Sequence, residues 1–384
     1  SREALNVSGE HVHAVPTMGI PDEHLKLTAE SVLGYESARL FLERAQTAKP
    51  RFELKDTDAP ALAEICRRLD GIPLALELAA ARVRILSIEQ IRSKLDDRFR
   101  LLTGGSRTAL PRQQTLLATL QWSYEHLVDE ERQFFDSLAV FGGGWTLGSA
   151  TAVCMESGDE FEVLDFITRL ADKSLVVIQQ SDSEEPRYRF LITVRQFARE
   201  RLAERGEAPS IRTRHLNYFL VLAETAEREL VGPNQQQWFE DMQKEHANFV
   251  AALSWCAEVE SGADTAMRLT GSLARHWSAN GHFEIGRRLL LQALELDAKN
   301  KSNSEPRAKA LVRAGALTVG RGDYDGARPL IEESLEIYRA LEDKRGIARS
   351  LTGLASIALC QEDFETASKT NEEAMNLYDE LGQA

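Results

Sequence analysis

The chain has 384 residues, 43% hydrophobic and 28% charged, with 46 Lys and Arg against 60 Asp and Glu for a net charge of −14. That length suits two to four domains, each with its own core, and the composition is ordinary for a soluble globular protein. The acidic balance excludes a general nucleic-acid or membrane-surface binder, leaves room for a local basic face, and reads most simply as solubility.

Residues 1–20 read as a strand and a loop, with Val12, Ala14 and Val15 apolar and Pro16 and Gly19 at the exit. A run of helices follows. Ser31 to Ala45 carries Val32, Leu33, Ala38, Leu40, Phe41 and Ala45 at helical spacing. Pro60 suits a first helical turn, and Ala61 to Leu69 is periodic. Gly71-Ile72-Pro73 stops that helix, Leu74 to Val83 starts another, and Leu102 to Ser106 reads as a turn or linker.

Gln114 to Leu127 places Leu117, Leu120, Trp122, Tyr124 and Leu127 on one broad stripe. Phe134, Phe135, Leu138 and Val140 follow, then Gly142-Gly143-Gly144, then a helix from Phe161 to Ala171. Leu175 to Ile178 and Arg187 to Leu191 are β-like across the acidic turn Ser181 to Pro186, and Val194 to Leu202 is a basic helix. Three helices, a hairpin and a further helix make the pattern of a winged helix-turn-helix module.

The remainder is helical and repeats. Gly322-Asp323-Tyr324-x-x-Ala327 matches Glu362-Asp363-Phe364-x-x-Ala367 at an offset of 40, as do Tyr338 with Tyr378 and Leu341 with Leu381. Leu311 to Leu317 matches Leu351 to Ile357, and Gly281-His282-Phe283-x-x-Gly286 is an earlier, degenerate copy. In each unit a turn residue ends the first helix, an aromatic staples the second, and a small residue lets the two approach.

Cys66, Cys154, Cys256 and Cys360 have no paired spacing, which argues against a disulfide framework or a zinc site and fits a reducing cytoplasm. No apolar run is long enough to span a bilayer, and no signal-peptide pattern opens the chain. The start at Ser1 and the end at Ala384 in a helix-like stretch suggest a part of a longer polypeptide.

Nucleotide hydrolysis uses a phosphate cradle of the GxxxxGK[ST] type. None of the eleven lysines follows a glycine, and no apolar strand ends in paired acids suited to magnesium. The chain is therefore expected to hold no catalytic residues and not to be an enzyme. His11 and His13 could share one face of a strand, but without a third ligand the pair reads as surface histidines and no metal site is expected.

Several motifs together resemble the signal-transducing ATPases known as STAND or NB-ARC proteins. Ser1-Arg2-Glu3-Ala4-Leu5 resembles the strand end bearing their sensor arginine, and Cys66 to Ala80, with Asp70-Gly71-Ile72-Pro73-Leu74, resembles their GxP motif. Leu110-Pro-Arg-Gln-Gln-Thr-Leu and Trp122-Ser-Tyr resemble the link into their winged helix. Leu138 to Leu147 and Tyr188 to Ala198 resemble that winged helix in bacterial members.

The resemblance implies a mainly α chain with four parts. These are a remnant of the nucleotide-binding core at 1–20, a helical GxP or lid domain at 21–105, and a winged helix with a small β-hairpin at 110–205. An α-solenoid of tetratricopeptide-like helix pairs occupies 206–384. In an intact parent binding ATP or ADP with magnesium, Arg2 would reach the γ-phosphate and Pro73 would pack on the adenine, with Gly71 allowing the turn. Read from the residues alone, Pro73 is a first-turn proline after a helix-ending glycine. This chain itself is expected to carry no cofactor. It also departs from the family where many members place a His-Asp pair that senses nucleotide, since Leu191 and Ile192 stand there.

The expected function is the regulatory and scaffolding part of a bacterial, cytoplasmic STAND-type signalling or transcriptional regulator. A protein or small inducer would bind the repeats, and the signal would pass through the winged helix to the lid. The alternatives are a repeat scaffold that only binds proteins, and DNA binding through the winged helix. From Arg187 to His215, eight arginines stand against Glu200, Glu204 and Glu207, an excess that either meets phosphates or is paired internally.

Overall fold

The computed structural model describes residues 17–22, 28–97, 116–155, 158–179 and 185–382. The expected strand at the start of the chain, the pair His11 and His13, the linker at 102–106 and the motif beginning at Leu110 lie outside the described residues. Contacts divide the chain into two compact units, one of residues 1–139 with 145–208 and the other of 140–144 with 209–384.

The first unit opens with short helices. Thr28 caps α1 (Ala29–Val32), its hydroxyl accepting from the Ser31 N–H. The helix expected over 31–45 is two helices, because the chain turns through Gly34 before α2 (Glu36–Ala48) begins. Helix α3 (Ala59–Arg68) carries Pro60 in its first turn, where a missing N–H costs nothing. Asp70 and Gly71 then take left-handed conformations, φ 55 and 63, and α4 (Pro73–Ala80) restarts on Pro73. Helix α5 (Ile88–Ser93) is capped by Ser87. Phe41, Leu62, Ile65, Leu69, Leu76 and Ile91 are fully buried and form the apolar interior of these helices.

The same unit continues with α6 (Leu116–Glu125), α7 (Asp129–Ser137), α8 (Leu147–Cys154) and α9 (Glu160–Asp172). Strands β1 (Val177–Gln179) and β2 (Arg187–Arg189) pair antiparallel with Ile178 opposite Tyr188, so the expected hairpin forms with shorter strands. Trp145 adds an antiparallel bridge to Tyr188, with both N–H···O distances 2.8 Å. Helix α10 (Ile192–Arg205) closes the module and ends on Gly206 at φ 74. Its interior is aromatic, with the Phe135 and Trp145 rings each 5.0 Å from Phe190 and the Tyr124 ring 5.4 Å edge-on to Phe197.

The second unit contains α11 (Ala208–Glu229), α12 (Gln235–Lys244) and α13 (His246–Cys256). Three helical hairpins follow: α14 (Gly262–Ala279) with α15 (Phe283–Leu296), α16 (Glu305–Val319) with α17 (Tyr324–Ala340), and α18 (Lys344–Cys360) with α19 (Phe364–Glu380). The turns between hairpin partners place Gly281, Gly322 and Glu362 at φ 70, 80 and 61, the left-handed position of the repeated motif.

The small residue of the motif does what the pattern predicts. A Cβ on Gly286 would lie 2.8 Å from both Leu317 and Trp277, and Ala327 and Ala367 are buried. The aromatic does something different. Phe283 lies against Gly320, at the end of the next hairpin's first helix, so it staples hairpin to hairpin rather than only its own pair.

The first helices α14, α16 and α18 pack on one another in turn, while α15, α17 and α19 make no comparable contact among themselves.

Candidate functional site

Three places carry the chemistry anticipated from the sequence. The first is the turn between α3 and α4. Gly71 is buried against the chain before α1: its carbonyl accepts from the Met18 N–H at 3.1 Å, and a Cβ there would lie 2.3 Å from the Met18 carbonyl oxygen. Only glycine fits that approach and that φ. Pro73 opens α4 with its ring exposed, which matches the first-turn reading of the residues. Arg2 lies outside the described residues.

Asp70 makes a contact that sequence reasoning passed over. Its carboxylate is buried, and Oδ2 accepts from the Thr193 N–H at 3.1 Å and from the Thr193 hydroxyl at 3.4 Å. Thr193 is in the first turn of α10, whose N-cap Leu191 offers no side-chain hydrogen bond. Asp70 therefore caps α10 from another part of the chain, satisfying a donor that helix geometry leaves open and placing negative charge at the helix's positive end. Leu191 and Ile192, at the start of α10, have no side chain able to cap it. A carboxylate from the GxP turn supplies the cap.

The second place is the winged helix, where several of the excess arginines are held by the module itself. Arg199 donates to the Ala139 carbonyl at 3.2 Å, Arg205 donates to Asp136 at 2.7 Å, and Arg201 pairs with Glu204 at 2.8 Å. Glu200 accepts from Gln196 at 3.2 Å. Asp136 is fully buried, accepts from the Tyr124 hydroxyl at 2.9 Å as well, and leaves Oδ1 without a partner. Burial pushes its carboxyl up to about 6 despite the Tyr124 and Arg205 donors.

Helix α9 follows the helix-turn of the module and holds the position from which such folds read the major groove. It carries Glu160, Glu162, Asp165 and Asp172 against Arg169 alone, and Arg169 pairs with Glu131 at 3.3 Å. Phe161 on the same helix is 82% exposed. An acidic helix with an exposed ring repels phosphates and suits a protein surface.

The third place is the repeat unit. Segment 140–144 is held there by Asn248 of α13: the Gly142 and Gly143 N–H groups donate to its Oδ1 at 2.8 and 3.2 Å, and its Nδ2 donates to the Gly144 carbonyl at 2.9 Å. A Cβ on Gly142 would lie 2.2 Å from the Ala247 carbonyl oxygen, so that position takes only glycine. Phe141 and Phe219 pack on the His215 ring in the same region, Phe249 packs on Phe219, and burial depresses that imidazole to about 4.

All four cysteines are free, and Cys360 alone is exposed. Among the described residues there is no cluster of His, Cys, Asp and Glu suited to a metal ion, and no helix long and apolar enough to cross a membrane.

Comparison with known proteins agrees with this layout. Residues 127–203 match the winged helix-turn-helix domain family and residues 306–380 the tetratricopeptide repeat family. Over 359 residues the chain is 37% identical to a Mycobacterium tuberculosis protein named "Putative HTH-type transcriptional regulator", covering 92% of this chain and 39% of that protein. It is 23% identical over 374 residues to "Regulatory protein AfsR" of Streptomyces griseus, covering 80% of this chain and 37% of that protein. A solved STAND protein with a tetratricopeptide repeat sensor from Pyrococcus horikoshii aligns over 90% of this chain and 54% of its own at 15% identity. Its TM-score of 0.30 is too low to equate the folds.

The chain thus spans about two fifths of the length of these two regulators. The chain combines a winged helix-turn-helix domain with tetratricopeptide repeats, and proteins named as regulators are among those it resembles.

Proposed function

We propose that this chain is the sensing and relay part of an ATP-dependent STAND-type regulator. The repeats take up a protein or small inducer, and the winged helix passes the change to the GxP turn. The observation that carries this reading is the Asp70–Thr193 contact. A turn that suits an adenine base in an intact parent is bonded to the start of the winged helix's last helix. Movement of α10 must therefore either carry the turn with it or break a buried, charged hydrogen bond.

In an intact parent Pro73 and Gly71 would shape the adenine side of the site, and Arg2 would serve the γ-phosphate. The exposed Pro73 ring and the buried Gly71 fit those roles. Magnesium and the phosphate cradle would come from elsewhere in the parent. The internally held arginines and the acidic α9 favour the winged helix as an internal lever over a DNA reader.

Two measurements test the proposal. A fluorescent ATP analogue titrated against the chain should show no tight, magnesium-dependent binding, and micromolar affinity would contradict the assignment of the cradle to other residues. A partner or inducer that binds the chain should be lost on removal of residues 270–384; retention would move the sensing role out of the repeats.

A further inference from the structure

Helices α13, α14 and α15 enclose a hollow of about 240 Å³. Ala266 of α14 and Ala293 of α15, 1% and 3% exposed, lie deepest in it. Leu253 and Leu289 also line it half-buried, and Val250 and Leu296 stand at its rim with 40% and 42% exposure. No charged side chain lines it, and its polar ones are Ser254 and Gln292. The Ser254 hydroxyl donates to the Ala251 carbonyl of its own helix at 2.7 Å. Gln292 is exposed and makes no hydrogen bond with a described residue.

The next groove along the repeats shows what this one lacks. The turn bond from the His282 N–H to the Trp277 carbonyl recurs, 41 residues on, from the Asp323 N–H to the Thr318 carbonyl. At that offset Ala266 corresponds to Arg307 and Gln292 to Glu333, while Ala257 and Asp297 are the C-cap residues of α13 and α15. Arg307, 6% exposed, donates to Asp297 at 3.2 Å and to Glu333 at 2.5 Å, so an ionic plug fills the later groove. Ala257, Ala266 and Gln292 stand in its three places in the earlier groove, and all three line the hollow. Without the arginine the space stays open, and without the two carboxylates its surface is apolar.

We propose that this hollow binds an uncharged, largely apolar small molecule carrying one hydrogen-bonding group, which the Gln292 amide meets at the rim. The proposal rests on reading the repeats as the sensing part and names the class of ligand they take. An apolar cavity of about 150 Å³ takes benzene, so this one suits about ten heavy atoms. Small-molecule sites are mostly apolar, with a few polar groups that fix orientation. A side chain inserted from a protein partner suits the hollow less well. Its flanking peptide groups would meet a rim with one unspent polar side chain, and peptide groups buried without partners are costly. A charged ligand would lose its hydration and find no counter-charge.

The test uses 1-naphthol, a neutral aromatic of that size with one hydroxyl, titrated against the chain by its own fluorescence, with the anion 1-naphthoate for comparison. Ala257→Trp puts a ring at the exposed edge of the hollow. The triple variant Ala257→Asp, Ala266→Arg, Gln292→Glu rebuilds the neighbouring plug, and Gln292→Leu removes the amide alone. Circular dichroism and thermal melts establish that each variant is folded; Ala257 is exposed, so its variant keeps the test decisive if the triple variant does not fold. Wild type should bind one equivalent saturably, and 1-naphthoate about tenfold more weakly or worse. Ala257→Trp and the rebuilt plug should each weaken 1-naphthol about tenfold or more, and Gln292→Leu about threefold or more.

No saturable binding, or unchanged affinity in folded Ala257→Trp, would overturn the site. Equal affinity for 1-naphthoate would overturn the uncharged class, and unchanged affinity in Gln292→Leu would overturn the amide's role. Dimerisation of the wild type that Ala257→Trp abolishes would make the hollow a contact between copies of this chain and overturn a small-molecule occupant. Failure of the site is distinguishable from failure of the sensing role, which is read separately from the loss of a partner on removal of residues 270–384.

Discussion

Acidification should destabilise the two units unequally. His215 and His276 are buried in the repeat unit and held at about 4 against a usual 6.5, each chiefly by desolvation. For His215 the Asn248 hydrogen bond opposes the shift, and for His276 the nearby His246 and His282 reinforce it. A depressed imidazole is neutral in the folded chain and protonated in the unfolded one between those two values. Stability is therefore complete above about pH 6.5 and falls as pH drops towards 4.

Taking the unfolded chain at the usual value, each histidine costs roughly 2 kcal/mol between about pH 7.5 and pH 5, or about 4 kcal/mol for the pair. Asp136 in the other unit runs the opposite way. Its folded value of about 6 lies above the ordinary 3.8, so protonation favours the folded state and stability rises by roughly 1 kcal/mol over the same interval.

Hydrogen exchange read separately on peptides from α14 and from α7 measures both signs in one experiment. Protection in α14 should fall with pH after correction for intrinsic exchange, protection in α7 should hold or rise, and His276→Gln should remove about half of the α14 loss. Identical pH dependence in the two helices, or an unchanged α14 slope in His276→Gln, would rule out imidazole protonation as the cause.

Three substitutions or fragments probe the contacts directly. Asp70→Asn keeps the shape and tolerates the left-handed backbone, so it isolates the carboxylate; a loss of about 1–2 kcal/mol by urea denaturation is expected. Gly71→Ala meets the Met18 carbonyl and a φ of 63 at once, and should cost about 2 kcal/mol or more, visible as a lowered melting temperature. Winged-helix residues 127–203 should leave duplex DNA unshifted at low salt in a mobility assay; a steep, salt-dependent shift would restore the DNA reading.

The repeats were legible in the sequence because packing two helices leaves a periodic trace. A turn residue, an aromatic and a small residue recur at a fixed offset, and Ala327 and Ala367 are buried where the pattern placed them. The winged helix was legible for a similar reason, through a hairpin flanked by helices. The break at Gly34 was missed because the apolar spacing of Val32, Leu33 and Ala38 runs through it, and periodicity does not register one turn that ends and restarts.

The contacts between distant residues were mostly illegible. Asp70 and Thr193 are separated by more than a hundred residues, and an aspartate after a helix looks like any turn aspartate. One signal was available: Leu191 cannot cap α10, so a donor at that buried helix end needed an acceptor from elsewhere. The glycine run at 142–144 was visible, but its partner Asn248 was not.

If the relay operates, a change at the repeats is felt at the GxP turn. Asn248→Ala releases segment 140–144 from α13 without touching Asp70 or Thr193, and exchange of the Thr193 amide reports on the far contact. Coupling requires slow exchange in the wild type and measurably faster exchange in Asn248→Ala; an unchanged Thr193 rate in a variant that has lost protection around Ala247 would contradict it.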